Sequence, residues 1–253
     1  MSEKFSAFAV LGFQPRTIKV LLTPERLHNF PLTIGLFLVI IGSAMKIYDV
    51  TLPIHPKMLV WEGDPKVSIQ SVATIVKDGV ALSNFSFGSH TGTHVDAPSH
   101  FLANGDTLDK ISLEKMIGKC RVLDMTHLRH PEITVLDLSN ADIQKGERIL
   151  FKTGNFRLLK RSTFPKQYIS LSLEAAEYLA KKEIVLIGTD FLSIEKKGNP
   201  GHPVHKMLLS HKIVNVEGLA LGDVPQGDYD IVCLPLAVVG VDGAPARVIL
   251  VER

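Results

Sequence analysis

His90-Thr91-Gly92-Thr93-His94-Val95-Asp96-Ala97-Pro98-Ser99-His100-Phe101 is the stretch on which the reading of this 253-residue chain turns. It holds three of the ten histidines, with an aspartate among them. His90, His94, Asp96 and His100 are all even-numbered, and on an extended backbone even positions project to one face. Gly92 and Pro98 argue against a continuous helix, so His90 and His94 are not read as a helical pair. Two imidazoles and a carboxylate on one face are good ligands for Zn²⁺ or Mn²⁺. Gly92 lets the backbone pass close to a metal or substrate, and Pro98 stiffens the exit from the run. The plain alternative is a polar loop that holds nothing. Three histidines this close, with an aspartate in phase, count against it.

Outward from this stretch, Gly201-His202-Pro203-Val204-His205 supplies His202 and His205. Ile213-Val214-Asn215-Val216-Glu217-Gly218 ends an apolar run on Glu217. A carboxylate there, followed by glycine, often faces a cleft. Each feature alone is weak, since a terminal Glu is usually just solvated. With the first cluster they form a possible two-metal set.

Strand signals dominate around these residues. Apolar, β-branched runs recur at 47–52, 67–76, 118–123, 148–152, 184–189, 213–217, 229–234 and 247–251. Turn chemistry separates them, including Glu62-Gly63-Asp64-Pro65 and Val241-Asp242-Gly243-Ala244-Pro245. Ser172 is a plausible N-cap for a helix over 172–182, with Leu173, Ala176, Leu179 and Ala180 on one face. Weaker helix signals lie at 113–117 and 204–209. Central strands with interspersed helices predict an α/β domain with a mixed sheet.

Composition bounds the partners. Hydrophobic residues make up 45% and charged residues 21%, with a formal charge of +2. No long basic or acidic run is present, so charge makes no case for nucleic acid. Cys120 and Cys233 lie in apolar stretches and read as buried, reduced thiols. Residues 1–44 stand apart from the rest. The segment 29–45 is uncharged and mostly apolar, at the short limit for a membrane span. It reads as an upstream mis-start first, with a signal sequence and a membrane anchor as alternatives. The expected domain is therefore 45–253. It is expected to be cytoplasmic, unless the N-terminal segment is genuine and exports or anchors it.

The opening stretch resembles the cyclase family that includes the bacterial kynurenine formamidases, whose signature H-x-G-T-H-x-D-x-P-x-H-F stands complete at residues 90–101. Asp49-Val50-Thr51-Leu52-Pro53-Ile54 and Met58-Leu59-Val60-Trp61-Glu62-Gly63-Asp64-Pro65 resemble the family's opening strand and following loop. Gly188-Thr189-Asp190-Phe191-Leu192-Ser193-Ile194-Glu195 resembles its later G-T-D-x-x-S element. The match runs from about residue 46 to the C-terminus.

The resemblance implies the family's swivelling β/β/α fold, usually in a homodimer or higher oligomer. It implies that His90, His94 and Asp96 bind one metal, that Asp96 bridges to a second held by His205, and that Glu217 contacts one or both. Zn²⁺ is expected first and Mn²⁺ second. His100 would be the acid/base residue and Trp61 a substrate contact. The activity implied is hydrolysis of a small-molecule amide, with N-formyl-L-kynurenine the leading substrate. Isatin-like lactams or another cyclic amide are the alternative within the family, and a metal-binding module without catalysis is the alternative outside it. Glu62 departs from the proline that many members carry, which loosens the substrate assignment. His127, His130, His202 and His211 are left to the surface or to positions supporting the ligands.

Overall fold

Alternation along the strand runs resolves into one sheet that closes on itself. In a computed structural model, residues 45–252 are described, and the readings made for residues 1–44 lie outside them. The strands in chain order are β1 (Ile47–Asp49), β2 (Ser68–Ala73), β3 (Leu82–Ser86), β4 (His94–Asp96), β5 (Ile117–Asp124) and β6 (Glu132–Ile133). They continue with β7 (Arg148–Lys152), β8 (Ser170–Leu171), β9 (Leu186–Thr189), β10 (Val214–Glu217), β11 (Gly227–Pro235) and β12 (Gly243–Glu252). The helices are α1 (Ile75–Asp78), α2 (Val135–Leu138), α3 (Leu173–Lys181) and α4 (Pro203–Ser210).

The main sheet runs β1-β12-β11-β5-β7-β9-β10-β4, and β4 also pairs with β12. One edge of β12 takes β4 along residues 243–245 and β1 along 249–251, while its other edge takes β11. Seven strands thus form a ring. Pairings β5–β7, β7–β9 and β9–β10 are parallel and the others antiparallel, so the expected mixed sheet is present.

The pleat divides the apolar side chains between two cores. One cluster gathers residues from every strand of the ring, among them Val95, Val122, Leu150, Val216 and Val248. The alternate positions Ile149, Phe151 and Ile187 face outward and pack with Leu179 of α3 and Leu208 of α4. Ser172 caps α3 as expected, accepting the Ala175 N–H at 3.2 Å. Cys120 and Cys233 are both buried.

Several boundaries differ from the sequence reading. The run 67–76 is not one strand: β2 stops at Ala73, and Asp78 accepts the Thr74 N–H at 2.8 Å to start α1. The weak helix at 113–117 is a single 3₁₀ turn. The turn expected over 241–245 ends at Asp242, because β12 begins at Gly243 against β4. Strands β2 and β3 pair with each other as a separate hairpin, with Ile69, Val72, Leu82 and Phe85 exposed. No helix among the described residues is long and apolar enough to cross a membrane.

Candidate metal centre

The same pleat that turns Val95, Val214 and Val216 into the ring turns His94, Asp96, Asn215 and Glu217 to its opposite face. Register sets Asn215 opposite Asp96 and Glu217 opposite His94. Asn215 Nδ2 donates to Asp96 Oδ2 and to Glu217 Oε1, both at 2.8 Å, and so holds the two carboxylates together. Glu217 Oε1 also accepts the Ile194 N–H at 2.8 Å. Gly218 follows with φ +70°, and a Cβ there would lie 2.2 Å from the Gly92 carbonyl oxygen. That close approach leaves room only for glycine. The Gly92 carbonyl in turn lies 2.9 Å from His94 Nδ1, which makes Nδ1 the donor and leaves the Nε2 lone pair free.

Two more histidines reach this patch from other elements. His90 sits in the turn before β4, with Nδ1 2.9 Å from Asp96 Oδ1. His94 Nε2 is 3.4 Å from the same oxygen. His205 is buried on α4, with Nε2 3.2 Å from Glu217 Oε1 and 3.9 Å from Asp96 Oδ2. Four groups among the described residues have donor atoms within 4.8 Å of one another. Two are His90–His100–Asp242 and Glu195–His202–His205, and the other two, the ligand triads His90–His94–Asp96 and Asp96–His205–Glu217, meet at Asp96. Asp96 belongs to both and presents a different oxygen to each. The extended backbone expected over 90–100 holds only for 94–96; a turn and a 3₁₀ turn bring the flanking histidines in.

The electrostatics suit a cation. Asp96 and Glu217 are 1% and 3% exposed, and neither pairs with a Lys or Arg among the described residues. Burial pushes the Asp96 carboxyl up, but the neighbouring His90 and His94 imidazoles outweigh it and hold it well below the usual range. Burial likewise lowers His90, yet Asp96 and Asp242 raise it to about 9. For His205 burial is outweighed by Glu195 and Glu217, which raise it to about 10. Without a metal, protons on these imidazoles balance the buried negative charge. The donor set of histidine nitrogens and carboxylate oxygens, with open geometry between the two triads, fits one or two divalent ions.

His100 lies in the 3₁₀ turn Pro98–His100, its ring stacked on His90 at 3.8 Å between centroids. Burial lowers its pKa, so the neutral form prevails near pH 7. Phe101 packs between His100 and His205, at 4.1 and 4.4 Å. These residues line a cleft of about 290 Å³ together with Trp61, Lys197 and His202. Trp61 meets Phe164 edge-on at 4.8 Å. Across the mouth, Glu62 pairs with Lys197. His130 and His211 bond locally to backbone carbonyls at exposed positions.

Three residues of the centre have no assigned role in the sequence reading. Asn215 sat unmarked in an apolar run. Glu195 is 1% exposed and lies 2.6 Å from His205 Nδ1, and it accepts the backbone N–H of Val204 and His205. A carboxylate on the far nitrogen of a histidine fixes its tautomer and aims Nε2 at the centre. Asp242 Oδ2 lies 2.9 Å from His90 Nε2 and 3.4 Å from His100 Nδ1. The Asp-Gly-Ala-Pro sequence that follows it reads as a turn, and that masked it.

Comparison with known proteins agrees with this geometry. The model of the Cyclase family matches residues 48–196. A kynurenine formamidase from Salinibacter ruber is 34% identical over 208 residues, covering 81% of this chain and 97% of its own. A solved structure described as a predicted metal-dependent hydrolase from Bacillus stearothermophilus is 41% identical, with a TM-score of 0.73 over 83% of this chain and all of its own. Isatin hydrolase A from Ralstonia solanacearum shares the fold at 21% identity, with a TM-score of 0.73 over 83% of this chain and 92% of its own. The signature at residues 90–101, the mixed sheet and these likenesses agree: the chain belongs to the Cyclase family.

Proposed function

We propose that the chain is a metal-dependent amide hydrolase whose substrate is N-formyl-L-kynurenine, cleaved to L-kynurenine and formate. The observation that carries this reading is the meeting of two ligand triads at a shared Asp96, with the His100 ring stacked on His90 beside them and in neither of those triads. The relatives named for kynurenine formamidase activity support the substrate. His90, His94 and Asp96 would hold one ion, and His205, Glu217 and Asp96 a second, with Zn²⁺ first and Mn²⁺ next. A divalent ion bound there polarises a carbonyl and makes water a stronger nucleophile at neutral pH.

The chain's own residues then divide the work. His100 accepts a proton from the water that attacks the formyl carbon, and returns it to the departing aniline nitrogen as the C–N bond breaks. Trp61, on the cleft wall, packs against the aromatic ring of the substrate. Glu195 and Asn215 keep the ligands aimed, so that little reorganises during the reaction.

The protein is also read as a homodimer or higher homo-oligomer. Exposed Ile69, Val72, Leu82 and Phe85 on the β2–β3 hairpin give an apolar surface suited to a second copy.

The test is turnover of N-formyl-L-kynurenine, N-formylanthranilate and isatin by the zinc- and manganese-loaded protein. Formate release fastest from N-formyl-L-kynurenine supports the assignment. Faster opening of isatin moves the substrate to the lactams. Full metal content with no turnover of any of the three favours a binding module.

A further inference from the structure

Asp242 lies outside the two triads that share Asp96, though its carboxylate, His90 and His100 also lie within 4.8 Å of one another. Asp242 Oδ2 takes three contacts: His90 Nε2 at 2.9 Å, His100 Nδ1 at 3.4 Å and Ser89 Oγ at 3.4 Å. The two imidazoles it touches are stacked, 26° from parallel. We propose that Asp242 is the positioning residue for both, setting the tautomer of His90 toward the metal and that of His100 toward the substrate. The His100 half of this rests on the hydrolase reading above.

The geometry of each ring carries the argument. His90 Nδ1 faces Asp96 Oδ1, on the ligand side, so Nε2 is the nitrogen left to carry the proton, and it donates to Asp242. On His100 the nitrogen beside the carboxylate is Nδ1. A proton held there leaves Nε2 as a lone pair, directed away from Asp242, which is what a general base requires. A histidine side chain free in water favours the Nε2–H tautomer, so the carboxylate decides which nitrogen is basic.

The backbone is built to keep Asp242 in place. Its carbonyl accepts the Ala97 N–H at 2.8 Å, and Gly243 pairs with Asp96 across β12 and β4. A Cβ on Gly243 would lie 2.7 Å from His90 Cε1, so the chain passes the ring as closely as glycine permits. The Asp242 side chain is itself 45% exposed, which is more than a group retained for packing would show. Its removal should leave the fold intact.

The experiment compares Asp242→Ala, Asp242→Asn, His100→Ala and the double variant Asp242→Ala/His100→Ala. With Zn²⁺ at saturating concentration, so that metal loss through His90 does not enter, Asp242→Ala is expected to lower kcat by about 10-fold or more with KM unchanged, and to cost nothing further in the His100→Ala background. Competition with a chelator is expected to show Zn²⁺ bound about 10- to 100-fold more weakly by metal-free Asp242→Ala. Asp242→Asn, which keeps an acceptor oxygen, should recover part of both losses. Nitrogen NMR of the imidazoles should find His100 as the Nδ1–H tautomer in the wild type and as Nε2–H in Asp242→Ala. Losses that multiply in the double variant, or an unchanged tautomer, overturn the His100 half. Unchanged zinc affinity overturns the His90 half. A wild type that turns over no amide overturns the hydrolase reading alone, since the titration and the NMR still decide the role of Asp242.

Discussion

Strand β4 and the β2–β3 hairpin are close in sequence and opposite in environment. His94-Val95-Asp96 has two polar residues of three, yet all three are buried. Ile69, Val72, Leu82 and Phe85 are apolar, yet they are 44–60% exposed. Residue type does not explain the difference, whereas pairing does. Strand β4 has β10 on one side and β12 on the other, while β2 and β3 have only each other. A central position forces polar side chains into the interior, where each must find a partner or cost several kcal/mol. Asn215 and His90 meet that need for Asp96, and the Gly92 carbonyl meets it for His94. The hairpin meets no such demand, and its apolar side chains stay exposed on both of its sides.

The contrast breaks first under metal removal. Dialysis against a chelator should abolish turnover and lower the melting temperature. Binding at about 1,000 times Kd contributes roughly 4 kcal/mol, and that stability should disappear. Hydrogen exchange should then rise at the amides of β4 and β10 and stay unchanged at those of β2 and β3. Equal change in both regions would mean that the metal does not act through β4.

His100→Ala sharpens the division within the site. It should cut kcat by about 10²-fold while elemental analysis finds the metal retained. Near-normal kcat would remove His100 from the reaction. A smaller effect separates the two strands by packing alone. Val95→Ala should cost about 2 kcal/mol in denaturant unfolding, because Val95 is fully buried in the ring. Val72→Ala should stay within about 0.5 kcal/mol for a single chain. Phe85→Ser should leave the fold unchanged and shift light scattering from dimer to monomer. A dimer of wild-type strength would place the interface elsewhere.

Much of this centre is legible in the sequence. The ligands of residues 90–96 announce themselves because three histidines and an aspartate share a short, helix-breaking segment. His205 and Glu217 needed the family pattern, since a lone histidine or glutamate carries little information. Asp242, Glu195 and Asn215 stayed hidden for physical reasons. Their roles arise from register and tautomer, which only the folded chain defines. The extended backbone expected around His94–Asp96 is present but shorter than expected, because Gly92 and Pro98 bracket it, and it pairs with β10 and β12. The helix over 172–182 was legible because its cap and apolar face are local features.

Asp96 is the residue common to both triads, and the account depends on it most. The direct measurement is elemental analysis of purified wild type and Asp96→Ala, each folded by circular dichroism. The account predicts one to two equivalents of zinc or manganese per chain in the wild type, and loss of that metal in the variant. Equal metal content in the two proteins would contradict it.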